Sequence, residues 1–262
     1  MTILEGKDLT RAFGGLMALR EVSLKVHPHE ILGIIGPNGA GKTTCFNVIT
    51  GFYPATGGAV FFEGEDISSL PMEKRARLGM VRTFQHTSLF PKLTVFENVF
   101  TATHKMNATN LFQHIFRSGP FKRIERELGE KVRKVLEFLG LREQRDVLAR
   151  NLPYGSQRKL EIAIALATDP KLLLLDEPAA GMDPVESREL MRLIKEIQNR
   201  GITIMLVEHN MRLVMGICDR LVVLNYGSKI AEGKPTEIAQ NPDVINVYLG
   251  KKQYNFAPKK NG

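Results

Sequence analysis

The run Gly36-Pro37-Asn38-Gly39-Ala40-Gly41-Lys42-Thr43 fits the pattern G-x-x-x-x-G-K-[ST] at every fixed position. Glycines at this spacing let successive backbone N–H groups turn inward as an anion-binding nest. A helix beginning at its end adds the positive end of its dipole. Lys42 is placed to reach β- and γ-phosphates, and the Thr43 hydroxyl is suited to Mg²⁺. The phosphate-binding set runs on to Thr44. A second constellation closes the apolar run Lys171-Leu-Leu-Leu-Leu with Asp176 and Glu177. Asp176 is suited to hold Mg²⁺, directly or through water. Glu177 is suited to polarise an attacking water. His209 follows another apolar run, and Gln85 sits in Thr-Phe-Gln-His. Taken alone, such a histidine reads as structural and such a glutamine as polar surface.

Positioning these residues requires strands that end beside a ligand. Short apolar runs recur at Ile31–Ile35, Leu172–Leu175, Ile202–Val207 and Leu221–Leu224, with helical stretches between them. Continuous apolar strands alternating with helices predict a parallel sheet covered on both faces. The spacing of Leu190, Leu193, Ile194 and Ile197 predicts a helix over Val185–Gln198, stopped by Gly201. Residues 1–30 and 58–68 carry the turn signals of short antiparallel strands and predict a β flap. Residues 88–150 read as helical, with Ile124, Leu128, Val132, Val135, Leu136 and Leu139 on one apolar stripe. Asn107 to Pro120 interrupts them as a polar surface excursion.

At 262 residues with 43% hydrophobic and 24% charged content, the chain is an ordinary globular one with room for a sizeable core. No run approaches the roughly 20 apolar residues that span a bilayer, and the start does not read as a signal peptide. Cys45 and Cys218 have neither the number nor the spacing of a disulfide scaffold or a zinc site, and read as small buried residues. The net charge of +8 is concentrated. Residues 251–262 carry Lys251, Lys252, Lys259 and Lys260 with no acid, and residues 117–150 carry ten basic against six acidic residues. No aromatic-studded basic groove accompanies them, which argues against nucleic acid as a partner.

Taken together, the segments resemble the ATP-binding subunit of ABC transporters, in order and over nearly the whole chain. Phe13, in Arg-Ala-Phe-Gly-Gly-Leu-Met-Ala-Leu, is similar to the aromatic that stacks on adenine in that family. Gln85 matches the glutamine that reaches Mg²⁺ and the attacking water, Asp176 and Glu177 the metal aspartate and catalytic glutamate, and His209 the switch histidine. Ala180-Gly-Met-Asp183 falls where the family has its dimer-contacting loop. Leu152-Pro-Tyr-Gly-Ser-Gln-Arg158 occupies the place of the family signature, which in a partner subunit's site binds the γ-phosphate through residues such as Gly155 and Ser156. The signature departs from the family at Pro153, where a serine is usual, at Tyr154, where a glycine or often a tyrosine in this subfamily stands, and at Ser156, where a glutamine is usual; proline has neither a hydroxyl nor an N–H to donate.

The resemblance implies an α/β fold of the P-loop NTPase (RecA-like) type, with an antiparallel β subdomain and an inserted α-helical subdomain. Its expected layout is a nucleotide-binding core over 1–87, a helical subdomain with the signature over 88–158, the core continued over 159–250 and a basic tail over 251–262. It implies ATP and Mg²⁺ as cofactors, and hydrolysis coupled to transport at the cytoplasmic face of the cell membrane. The implied partners are a second homologous ATPase subunit, two transmembrane permease subunits and, indirectly, an extracytoplasmic solute-binding protein. The stretches Gly51-Phe-Tyr-Pro-Ala-Thr-Gly-Gly, Arg82-Thr-Phe-Gln-His, Leu93-Thr-Val-Phe-Glu-Asn98 and Asn241-Pro-Asp-Val-Ile-Asn-Val-Tyr-Leu-Gly250 are similar to the larger of the two ATPases of branched-chain amino acid transporters. Carriers of urea, amides and lipopolysaccharide use closely similar ATPases and stay open at this point. A soluble ABC ATPase acting on DNA or ribosomes is the rival from another class; one phosphate loop and no sustained heptads count against it.

Overall fold

The computed structural model describes residues 1–83, 89–106 and 119–249. The chain divides into two compact units, Met1–Arg75 with Ile194–Gly262, and Ala76–Leu193.

In the first unit, β1 (Leu4–Phe13), β2 (Leu16–Val26), β4 (Gly57–Phe62) and β5 (Glu65–Asp66) form an antiparallel sheet in the order β2-β1-β4-β5. This is the expected flap. Leu4, Leu9, Leu19, Val22, Leu24 and Val26 are buried while Lys7, Arg20 and Lys25 are exposed, an alternation interrupted by register shifts between Gly6 and Leu9 and between Leu9 and Arg11. The same unit holds β3 (Ile31–Ile35), β8 (Thr203–Val207), β9 (Arg220–Asn225) and β10 (Ser228–Gly233) in the order β10-β9-β3-β8. β3 is parallel to both β8 and β9. β3 and β8 are buried at all five positions, as continuous apolar runs predict for a sheet covered on both faces. The edge strand β10 is antiparallel to β9 and lies outside the expected pattern. Its sequence, Ser-Lys-Ile-Ala-Glu-Gly, has the polar content an edge tolerates. Helix α1 (Lys42–Thr50) follows β3.

Arg75, only 2% exposed and carried by α2 (Met72–Arg77), closes the far end of α1. Its guanidinium donates to the carbonyls of Val48 (3.0 Å), Ile49 (2.6 Å), Ser68 (2.9 Å) and Leu70 (2.8 Å). Two of these belong to the last turn of the helix, where carbonyls lack intrahelical donors, and two to the loop before α2; Val48 also accepts the Gly51 N–H at 3.1 Å. Burial pulls the Arg75 pKa down to about 10.

In the second unit, β6 (Met80–Arg82) runs parallel to β7 (Leu172–Asp176). Helices α3 (Val95–Met106), α4 (Gly119–Phe138) and α5 (Tyr154–Leu166) pack on one another as a helical subdomain. Thr94 and Glu97 start α3 as a capping box: the Glu97 carboxylate accepts the Thr94 N–H at 2.7 Å, and the Thr94 hydroxyl accepts the Glu97 N–H at 3.1 Å. The Thr94 N–H and the Thr94 hydroxyl, which donates to Glu97 Oε2 at 2.9 Å, hold the Glu97 carboxyl below its ordinary pKa. The predicted stripe on α4 is only partly core. Val132, Leu136 and Leu139 are buried, whereas Ile124 is exposed near the N-terminal end. The excursion expected at Asn107 to Pro120 lies almost wholly outside the described residues. The helix expected at Val185–Gln198 is α6 (Pro184–Asn199), with Gly201 just beyond it at φ +90°.

Candidate functional site

The phosphate loop of the first unit is made by backbone. Gly36 leaves β3 at φ +153°, and a Cβ there would lie 2.2 Å from the Leu224 carbonyl of β9. Gly41, at φ +98°, precedes α1; a Cβ there would lie 2.6 Å from the Ala18 carbonyl of β2. Only glycine fits either place, because the backbone is left-handed and another chain segment passes against it. The turn is closed by Ala40 N–H on the Pro37 carbonyl (3.1 Å), and Gly227 N–H on the Ala40 carbonyl (3.0 Å) pins it to the β9–β10 turn. No side chain caps α1, and its first turn carries no acid. Gly41 offers no cap and no acid competes in the first turn, which leaves the positive end of the helix dipole for an anion. Lys42 is 7% exposed and donates to the carbonyls of Gly36 (2.8 Å) and Pro37 (3.0 Å), so its ammonium lies back across the loop. Asn38, Gly39 and Thr43 are exposed, and Thr44 is half-buried.

Phe13 ends β1 with its ring 39% exposed. The Arg11 guanidinium lies over the ring at 4.5 Å from its centroid, and Tyr53 meets it edge-on at 5.4 Å. Arg11 is in turn fixed by a 2.8 Å bond to the Pro54 carbonyl. Arg11 and Tyr53 belong to this aromatic platform and were not legible in the sequence, where they stand 2 and 40 residues from Phe13 with no motif to join them. His209 is exposed just past β8. The loop that carries it is held by the fully buried Glu208, whose carboxylate accepts the N–H groups of His209 (3.0 Å) and Asn210 (3.1 Å).

The second unit holds the acids. Asp176 ends β7 and is 3% exposed. Its Oδ2 accepts a 2.6 Å bond from Arg82 Nη2 on the neighbouring strand, and its Oδ1 is buried with no hydrogen-bond partner among the described residues. Burial raises the Asp176 pKa above its ordinary value of 3.8, and Arg82 opposes the rise. A buried carboxylate oxygen with nothing to accept is what a metal-bound water would satisfy, so Asp176 fits the Mg²⁺ assignment. Arg82 was visible only as part of a family-like stretch; its pairing with Asp176, 94 residues away, follows from the β6–β7 register alone. Glu177 follows at φ +47°, a left-handed backbone that a non-glycine residue adopts at a cost. Gln85 lies outside the described residues.

The signature segment enters α5 at Pro153, which caps it at φ −55° without any side-chain hydrogen bond. Tyr154 donates to the Ala180 carbonyl at 2.8 Å. Gly155 is buried, and a Cβ there would meet Glu186 Oε1 at 2.7 Å. A side chain at 155 would therefore displace the end of the Glu186 side chain on α6, so glycine gives α5 its close approach to α6 at no such cost. Ser156 is half-buried in the first turn of the helix. Cys45 and Cys218 are buried, and burial pushes the Cys45 thiol up to about 12.

The family model of the ABC transporter ATP-binding domain matches residues 19–180. This chain belongs to the ABC transporter family, as its ATP-binding cassette. A second model, for the branched-chain amino acid ATP-binding cassette transporter, matches residues 228–253. The high-affinity branched-chain amino acid transport ATP-binding protein LivG of Escherichia coli K12 is 47% identical over 249 residues, covering 95% of this chain and 98% of LivG. BraF of Pseudomonas aeruginosa, named for the same transport, is 47% identical with the same coverage. Among solved structures, the ADP conformation of MJ1267, an ATP-binding cassette of an ABC transporter, is 33% identical at a TM-score of 0.83, covering 96% of this chain and all of that one. The fold expected from the sequence is thereby met: a P-loop cassette with its antiparallel and helical subdomains. Among the described residues no helix is long and apolar enough to cross a membrane.

Proposed function

We propose that this ATPase powers branched-chain amino acid uptake, with MgATP as its fuel and the residues named above as its site. The C-terminal match over residues 228–253, added to 47% identity with LivG and BraF, supports that solute over urea, amides or lipopolysaccharide. Its partners in this reading are a second ATPase subunit and two permease subunits at the cytoplasmic face of the cell membrane, with a solute-binding protein acting on the far side. Two such cassettes sandwich ATP, each signature segment completing the partner's site.

The observation that carries the chemistry is Asp176, one oxygen on Arg82 and the other buried without a partner among the described residues, with Glu177 directly after it in left-handed backbone. Phosphoryl transfer needs positioning and charge neutralisation more than covalent chemistry. The phosphate-loop N–H groups and Lys42 hold the phosphates, and Phe13 stacks on the base. Asp176, Thr43 and Gln85 would hold Mg²⁺, which supplies neutralising charge at the β- and γ-phosphates when bound. Glu177 takes the proton of the attacking water, and His209 contacts the γ-phosphate. The test separates binding from chemistry. Lys42→Ala weakens ATP binding, while Glu177→Gln keeps it and lowers turnover by about 10²–10⁴-fold, as loss of a general base does. Turnover at the parental rate in Glu177→Gln would sink the assignment.

A further inference from the structure

Two segments of the second unit, the first turns of α5 and the turn after β7, meet at one phenol. The Tyr154 ring stands at the first position of α5 and is 43% exposed. Its oxygen accepts two N–H bonds from Arg158, from Nε at 3.0 Å and Nη2 at 2.7 Å. Arg158 is itself held one turn further on by Glu161, which is 8% exposed and pairs with it at 2.9 Å. With two donors on the phenol oxygen, its single proton is committed to a third direction, and it goes to the Ala180 carbonyl at 2.8 Å. The ring also lies against Gly181, where φ is +78° and a Cβ would sit 3.3 Å from the ring carbons and the hydroxyl. Ala180 in turn donates its N–H to the Glu177 carbonyl at 3.1 Å. An unbroken path thus runs from Arg158 through the Tyr154 hydroxyl and the Ala180 peptide to the backbone of Glu177, the residue held at φ +47°.

We propose that Tyr154 is a positioning residue for Glu177, holding the turn after β7 closed so that the Glu177 carboxylate is aimed, and tying that aim to the first turn of the signature helix. The physical reason is the strain at Glu177. A left-handed glutamate relaxes unless its surroundings over-determine it, and the turn is closed by backbone hydrogen bonds from Ala180 N–H to the Glu177 carbonyl at 3.1 Å and from Met182 N–H to the Ala179 carbonyl at 3.2 Å. The phenol adds a side-chain restraint to these, from a rigid ring with two torsions. Because the ring stands on α5, any ligand or partner that shifts the start of this helix shifts the turn that carries Glu177. Sequence spacing hides the link, since Tyr154 and Glu177 are separated by a whole helix and strand.

The proposal rests on Glu177 acting on the attacking water, and the experiment keeps the two apart. The chain is assembled with its permease and partner ATPase subunits, and ATP turnover is measured for Tyr154→Phe, Glu177→Gln, Glu177→Asp and the double variant Tyr154→Phe/Glu177→Asp. Tyr154→Phe keeps the ring and deletes only the hydroxyl. Its kcat is expected to fall about tenfold, within the range that misaiming a reacting group produces, with KM for ATP and ATP affinity within twofold of the parent. Arg158→Lys, which keeps a cation for Glu161 and loses the paired donors, is expected to lose about threefold in kcat with the same unchanged KM. On top of Glu177→Asp, Tyr154→Phe is expected to cost far less than tenfold, because both changes act on one carboxylate. Hydrogen exchange in the isolated chain is expected to speed at Ala180 and Gly181 in Tyr154→Phe and to stay unchanged in the phosphate loop. An unaltered kcat, losses that multiply in the double variant, or a fall in ATP affinity equal to the fall in kcat each overturn the proposal while Glu177→Gln remains inactive. Parental turnover in Glu177→Gln overturns the assignment beneath it and this proposal together.

Discussion

The phosphate loop and the acid pair are built from different materials. The loop is built of backbone: glycines at φ +98° and +153°, a helix with no side-chain cap, and a lysine whose ammonium donates to the main-chain carbonyls of Gly36 and Pro37. The acid region is made of side chains that hold one another: Arg82 on Asp176, Arg158 on Glu161 and on Tyr154, Tyr154 on Ala180. A backbone site depends on local chain geometry, so its specification is contiguous in sequence. A side-chain site depends on which strands and helices meet, so its specification is scattered. Damage to the first should appear as lost affinity, and damage to the second as lost stability or lost rate.

The largest effect is expected at the buried ion pair. Arg82→Met leaves the Asp176 carboxylate buried without its partner, and breaking such a pair costs about 3–5 kcal/mol. The pH dependence identifies the cause. Burial already raises the folded pKa of Asp176 above its ordinary value, and Arg82 is what holds the rise in check. Without Arg82 it climbs further, so the folded form binds more protons than the unfolded form from pH 3.8 upward to the new pKa. Stability contributed by this group is present below that window and is lost as pH rises through it. The melting deficit of Arg82→Met against the parent should shrink as pH is lowered from 8 toward 5. A deficit independent of pH would mean that lost packing, not the stranded charge, is responsible.

Next in size is Gly41→Ala. Left-handed backbone at a non-glycine residue costs of order 1–3 kcal/mol, and the added methyl meets the Ala18 carbonyl at 2.6 Å. Spent on the loop conformation that binds phosphate, this lowers ATP affinity by about 10–100-fold, read by titration with ATP, while Arg82→Met binds ATP with a smaller loss. Equal affinity losses in the two variants would erase the distinction between a backbone site and a side-chain site.

The smallest effect is expected where the two kinds of construction meet, at Pro153. Its φ of −55° suits the start of α5, but the helix has no side-chain cap. Pro153→Ser offers a hydroxyl to the N–H groups of the first turn, worth about 0.5–2 kcal/mol as a cap. The melting temperature rises if the hydroxyl caps its own helix. ATP turnover of the assembled transporter rises without a change in melting if it instead reaches the partner's γ-phosphate. No change in either measurement would mark Pro153 as a neutral variant.

The same division governs what could be read from the sequence. The phosphate loop, β3, β7, β8 and β9 were legible because four or five consecutive apolar residues and a glycine pattern state them locally. The edge strand β10 was not, because Ser-Lys-Ile-Ala-Glu-Gly carries no apolar alternation strong enough to separate it from a loop. Three-residue β6 is too short for any periodicity. Asp176 and Glu177 could be named as candidates, but neither the Arg82 pair nor the left-handed φ of Glu177 leaves a trace in local pattern. Ile124 was assigned to a core stripe by spacing alone and is exposed, because the periodicity continues past the point where α3 and α5 cover α4.

The two cysteines have a practical consequence. Both are buried, and burial pushes both thiols up, Cys45 to about 12. At neutral pH neither presents appreciable thiolate, the form that reacts with maleimides and nitroxide reagents. The natural chain is therefore already silent toward thiol labels. A single reporter cysteine placed at an exposed residue such as Val185 or Tyr226 can be labelled without first stripping the protein of its own, which leaves the phosphate-loop helix that carries Cys45 unaltered while its motions are followed.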